Sequence, residues 1–152
     1  MDPKIKDALI RMDFVKRYEA LSERFDRART PSDKRLVYVD RDEVMDMIRS
    51  FGYLPRFDSR EKFFKTGDEQ CGAYTFRMHI VLRDGAAEFV WVVYDEERKL
   101  HLGTPWGTCA KQLLPSDHRI KKPVFGTYDD LEEILKTAFE MCEDFKNAVT
   151  EI

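Results

Sequence analysis

The sequence has no pair of cysteines in C-x-x-C spacing; Cys71, Cys109 and Cys142 stand far apart and in odd number. Such spacing writes neither a structural zinc site nor a thioredoxin-like motif, and it suits reduced thiols of a cytoplasmic protein. An excess of one charge is lacking too. The formal net charge is -3, so the whole molecule is drawn neither to nucleic acid nor to an anionic membrane. No apolar run reaches the roughly 18 residues of a membrane span. The N-terminal Met-Asp-Pro-Lys-Ile-Lys-Asp has neither an apolar signal core nor the acid-poor composition of a targeting peptide. G-x-S-x-G, H-E-x-x-H and a phosphate-cradling glycine loop are missing, which removes the usual signatures of a serine hydrolase, a zincin and a nucleotide binder. Internal repeats, low-complexity tracts and linkers are missing as well, so residues 1–152 are expected to form a single globular domain.

What is present is a β-rich centre. Residues 72–102 hold three apolar runs separated by Arg-Asp-Gly-Ala and Asp-Glu-Glu-Arg, the pattern of an antiparallel meander. A two-residue turn at Asp84-Gly85 sets Phe76 opposite Val93, Met78 opposite Trp91 and Ile80 opposite Phe89. A second turn at Glu96-Glu97 sets Val93 opposite Leu100 and Trp91 opposite Leu102. Strand side chains alternate, so this register gathers Tyr74, Phe76, Met78, Ile80, Phe89, Trp91, Val93, Leu100 and Leu102 on one face. The other face carries Thr75, Arg77, His79, Val81, Glu88, Val90, Val92, Tyr94, Lys99 and His101. It is richer in aliphatic, Tyr and Arg side chains than a solvated face needs, so either the first helix or a partner covers part of it. The valines point first to the helix.

Around the meander, residues 3–29 read as one long helix. Pro3 suits a first helical position, and Ile5, Leu9, Met12, Tyr18, Leu21, Phe25 and Ala28 recur at helical spacing, with Phe14 and Val15 widening the stripe. Leu36 to Val39 reads as a short strand or extended segment. Asp40 with Glu43 three residues on is a capping box opening a helix that buries Val44, Met47, Ile48 and Phe51 and stops at Gly52. Residues 53–70 are irregular around Pro55, with an edge strand over 61–66. Residues 108–114 suggest a short helix, 116–122 a basic loop, and Pro123 to Phe125 an edge strand. The last helix starts near Thr127 with acids in its first turns. Its apolar stripe runs Leu131, Ile134, Leu135, Ala138, Met141, Cys142, Phe145, Val149 and Ile152, the natural lid for the aromatic face. Residues 127–152 hold eight acids and two lysines, a local charge of -6.

These elements make an α+β fold: an antiparallel meander sheet of four to five strands packed by a long N-terminal helix and an acidic C-terminal helix. No catalytic residue is assigned. His79 and His101 share a face in this register, but no carboxylate stands beside both, and a metal site needs three or four ligands, so no metal and no cofactor are expected. Nothing orients a base toward Cys109. Trp106, in a Gly-Pro turn, is either a core plug or a binding anchor.

The order helix, strand, helix, meander, acidic helix resembles bacterial immunity proteins of polymorphic or contact-dependent toxin systems. The resemblance lies in Leu102-Gly-Thr-Pro-Trp106 and in Pro123-x-Phe125-x-x-Tyr128-x-x-Leu131, which cover the second half of the chain. It implies a non-catalytic, stoichiometric binder of a cognate toxin. Two surfaces then qualify for partner binding: the helix acids Asp130, Glu133, Glu140 and Asp144, and a rim of Tyr94, Lys99 and Trp106. The alternative is a small cytosolic enzyme or ligand-binding domain with a pocket between the sheet and the Trp106 loop. A nucleic-acid binder using the basic first helix and residues 118–122 fits the acidic pI of about 5.7 poorly.

Overall fold

The computed structural model describes residues 1–114 and 118–151. At its centre Asp84 and Gly85 both take left-handed backbone, with φ of 56° and 73°, as a two-residue type I′ turn requires. They close a hairpin between β4 (Tyr74–Arg83) and β5 (Ala86–Asp95) in the expected register, Phe76 facing Val93, Met78 facing Trp91 and Ile80 facing Phe89. The next turn differs from expectation. Arg98 is left-handed (φ 66°) and the Asp95 N–H donates to the Lys99 carbonyl at 3.0 Å, so three residues form the loop rather than two. A register shift follows: Tyr94 faces Leu100, and Val93 faces Leu102 on β6 (Leu100–Leu102). Leu100 is thereby exposed, while Leu102 keeps its place in the core.

The meander extends on its other side. β1 (Pro55–Asp58) and β2 (Phe63–Thr66) form a hairpin, and β2 pairs with β4, giving the order β1-β2-β4-β5-β6 with β3 (Glu69–Cys71) also on β4. The sheet thus has six antiparallel strands. β2 is an inner strand rather than the expected edge; the edge is β1, whose first residue is Pro55, where a missing N–H costs no ladder bond. Leu36 to Val39 forms no strand. Leu36 donates its N–H to the Phe125 carbonyl at 3.0 Å and packs with Val39 against the core, while Tyr38 is 89% exposed. Pro123 to Phe125 is buried, with Val124 bridging Ala86 and donating to the Phe25 carbonyl.

The expected single N-terminal helix is two, α1 (Pro3–Arg11) and α2 (Phe14–Arg24). Asp13 is left-handed (φ 58°) and breaks the helix. The physical reason lies in the apolar spacing: Ile5, Leu9 and Met12 follow one helical phase and Phe14, Tyr18, Leu21 and Phe25 another. Without the break Phe14, now fully buried, would leave the core. α3 (Arg41–Ser50) is capped by Asp40, whose carboxylate accepts from the Asp42 and Glu43 N–H groups, and ends at left-handed Gly52. α4 (Trp106–Leu113) begins two residues before its expected start. α5 (Tyr128–Thr150) is capped by the Thr127 hydroxyl and buries Leu131, Ile134, Leu135, Ala138, Met141, Cys142, Phe145 and Val149. Ile152, the last expected stripe residue, and Ser116, at the head of the expected basic loop, lie outside the described residues.

Among the described residues, the five α-helices gather on the Trp91 side of the sheet. The Trp91 indole stacks on Phe145 of α5 at 4.4 Å and 5°, and Phe14 and Trp106 meet the same ring at 5.5 and 4.9 Å. α1 and α2 pack on α5, and α3 on α5 and β1. The expectation that the first helix covers part of the opposite sheet face is therefore wrong. Among the described residues, no helix packs there.

Candidate functional site

On that uncovered face, alternation along β2, β4 and β5 sets out Phe63, Lys65, Arg77, His79, Val90, Val92 and Tyr94. Val92, the cross-strand partner of Arg77, is only 5% exposed although no helix among the described residues lies on it. Arg77 organises this face. Its Nε donates to His79 Nε2 at 3.0 Å and its Nη1 to the Asp68 carboxylate at 3.0 Å. The guanidinium groups of Arg77 and Arg98 stand 5.8 and 5.5 Å from the centre of the Tyr94 ring, and Phe63 lies 4.6 Å from the His79 ring. Burial, then the charges of Arg77 and Lys65, push the His79 pKa down to about 4. The imidazole is thus neutral near pH 7, and the positive charge of this face belongs to arginine and lysine.

The expected site residues part company. Tyr94 lies on the open face, and Lys99 is exposed in the turn beside it. Trp106 leaves the set. It is 1% exposed, wedged against Phe89 at 4.7 Å, so its indole fills the space between sheet and loop where a pocket was the alternative expectation. Of the four acids, Asp130 pairs with Arg29 at 3.0 Å, Glu133 with Arg24 at 3.3 Å and Asp144 with Arg17 at 2.8 Å. The acidic helix and the basic residues of and beyond α2 thus neutralise each other, which also takes up cations that a nucleic-acid contact would use. Such surface pairs stabilise the fold by about 0–1 kcal/mol each. Glu140 alone of the four has no ion-pair partner among the described residues.

His79 and His101 do not share a face. The register shift swings His101 to the helix side at the sheet's end, where Asp2 meets its Nδ1 at 2.6 Å, Asp95 its Nε2 at 2.9 Å, and Tyr74 its ring edge-on. Hydrogen bonds to Asp95 and Asp2 raise the His101 pKa above its ordinary 6.5, and the same bonds lower both carboxyls. A raised folded-state pKa means a stabilisation fully present below pH 6.5 and lost as pH rises through the folded value. The carboxylates' share is lost only in acid, as pH falls below 3.8. Urea titrations between pH 6 and 9 are therefore expected to show declining stability in the parent and a flatter profile in His101→Gln; parallel profiles would contradict the clamp.

A second feature was not foreseen from the sequence. Lys146 of α5 is 4% exposed and is held by ion pairs with Glu69 and Glu143, while the Tyr53 hydroxyl donates to Glu143. Burial works to lower the lysine pKa, but the bonds from Glu143 and Glu69 outweigh it and the net shift is upward. The ammonium stays charged and is no nucleophile. Burial likewise raises all three thiols, Cys142 to about 12. Beside this cluster a groove of about 570 Å³ runs between α5 and the turns at residues 51–54 and 67–69. A lysine about one turn before the C-terminus of an acidic helix reads as surface by its own spacing. Only strand β3, invisible in the sequence, brings Glu69 over it.

Among the described residues no helix is long and apolar enough to cross a membrane. Comparison with family models, with curated proteins and with solved structures finds no match for this chain.

Proposed function

We propose that this chain is a non-catalytic protein-binding module that works stoichiometrically in the cytoplasm. Its partner is a bacterial toxin that it neutralises, as the resemblance to immunity proteins implies. The observation that carries the reading is the uncovered sheet face. A six-stranded sheet with every helix on one side leaves the other to solvent, and that side holds Tyr94, Phe63, Val90 and Arg77 around a buried Val92. Tyrosine and arginine over an apolar floor are the side chains that carry most binding energy at protein interfaces. Arg77 is already oriented by Asp68 and His79, which lowers the cost of ordering it on association.

Co-expression with the protein encoded by the neighbouring gene tests this directly. The expected result is a 1:1 complex that survives size-exclusion chromatography and a partner whose toxicity is suppressed in proportion to the amount of this chain. A partner neutralised at substoichiometric amounts, or chemically altered after exposure, would instead make the chain an enzyme.

A further inference from the structure

We infer that the groove beside α5 is a pocket for a lysine or arginine side chain presented by the protein partner. The inference rests on the protein-binding reading and assigns a second contact to it. The walls are apolar, with Phe51 and Tyr53 braced on Phe139 at 5.5 and 4.3 Å and Leu54 at the rim, 62% exposed. Walls of that kind suit the aliphatic stem of a long side chain.

The charge around the groove selects the head group. Asp68, Glu69, Glu140 and Glu143 line it against one lysine, Lys136. Lys146, buried beneath, is shared by Glu69 and Glu143, so one cation serves two carboxylates. Glu140 has no ion partner at all among the described residues. A cation entering over Leu54 therefore meets the unpaired Glu140 and two half-compensated carboxylates, Glu69 and Glu143, whose charge an anionic or neutral head group cannot balance. The groove is continuous with the open sheet face, because Leu54, Gly67 and Asp68 border both it and the basic cleft holding Arg77. One partner surface can thus cover the face and place a side chain in the groove.

The full chain titrated with N-acetyl-arginine methylamide, followed by two-dimensional NMR, is the test. The neutral citrulline analogue is the control. The expected result is saturable shifts confined to Phe51, Tyr53, Leu54, Phe139 and Glu140, in the millimolar range, absent with citrulline. Glu140→Gln should weaken binding at least threefold and Glu132→Gln, elsewhere on α5, should not. Equal shifts with citrulline, shifts scattered over the surface, or indifference to Glu140→Gln would each overturn the inference. The outcome separates cleanly from the function itself. A groove that ignores the probe while the partner still binds removes the pocket and keeps the binding module, and a responsive groove without any neighbouring-gene partner removes the proposed partner and keeps the pocket.

Discussion

Replacing Trp91 by alanine is expected to destabilise the protein by about 3–5 kcal/mol. The indole is 2% exposed and lies at the meeting point of sheet and helices, stacked on Phe145 of α5 and touched by Phe14 from α2 and Trp106 from α4. Removing it takes away apolar burial and leaves a void whose walls belong to three different helices, so no single element can shift to fill it. Against the roughly 5–15 kcal/mol that holds a domain of this size together, the loss is a large share. Urea denaturation reads it as a drop in midpoint with an unchanged slope. A variant within about 1 kcal/mol of the parent would contradict the strand register and the packing of α5 on it.

Trp106→Ala should cost a comparable amount, about 3–5 kcal/mol, because the ring is a plug and not an anchor. It meets Phe89 at 4.7 Å, Tyr18 at 5.3 Å and Phe14 edge-on at 5.5 Å, and is 1% exposed. Trp91 lies 4.9 Å away, so the two alanine variants share a void and their effects should fail to add by about 0.5 kcal/mol or more. Trp106→Phe should be milder, within about 1.5 kcal/mol, as expected for a swap that keeps an aromatic core. The buried indole N–H has no hydrogen-bond partner among the described residues, so its removal offsets part of the lost area. Partner binding by Trp106→Phe should equal the parent's. A folded Trp106→Phe protein that no longer binds would restore Trp106 to the interface.

The hairpin register was legible because an Asp-Gly turn and period-two apolar spacing agree, and a one-residue slip would have scattered its seven core-face side chains. The next turn was not. Arg98 adopts a left-handed conformation that its side chain does not announce, and that one residue moves Leu100 and His101 off their expected faces. The helix break at Asp13 was present as a phase change in the apolar stripe, easily mistaken for a wider stripe. At the candidate site, Tyr94 and Arg77 could be placed on one face from alternation alone, but whether anything covered that face depended on where the N-terminal helices dock. Their charge pattern held that answer: Arg17, Arg24 and Arg29 match Asp144, Glu133 and Asp130, pairing the first helices with α5 rather than with the far side of the sheet. The Lys146 cluster was illegible because its acids come from a three-residue strand and from α5 itself.

The most direct measurement of the central claim, that the uncovered sheet face binds the partner, is calorimetric titration of the partner protein into the Arg77→Ala, Tyr94→Ala double variant. Both side chains are partly exposed and neither supports the core, so the fold should survive, as circular dichroism can check. Binding at least about 30-fold weaker is expected, the roughly 2 kcal/mol that marks a hot spot. Neutralising Glu133 and Asp144, whose charges are already matched within the chain, should change affinity less than about threefold. Parent-like affinity in the sheet-face variant, with loss of binding in the helix variant, would contradict the account and return the interface to the acids of α5.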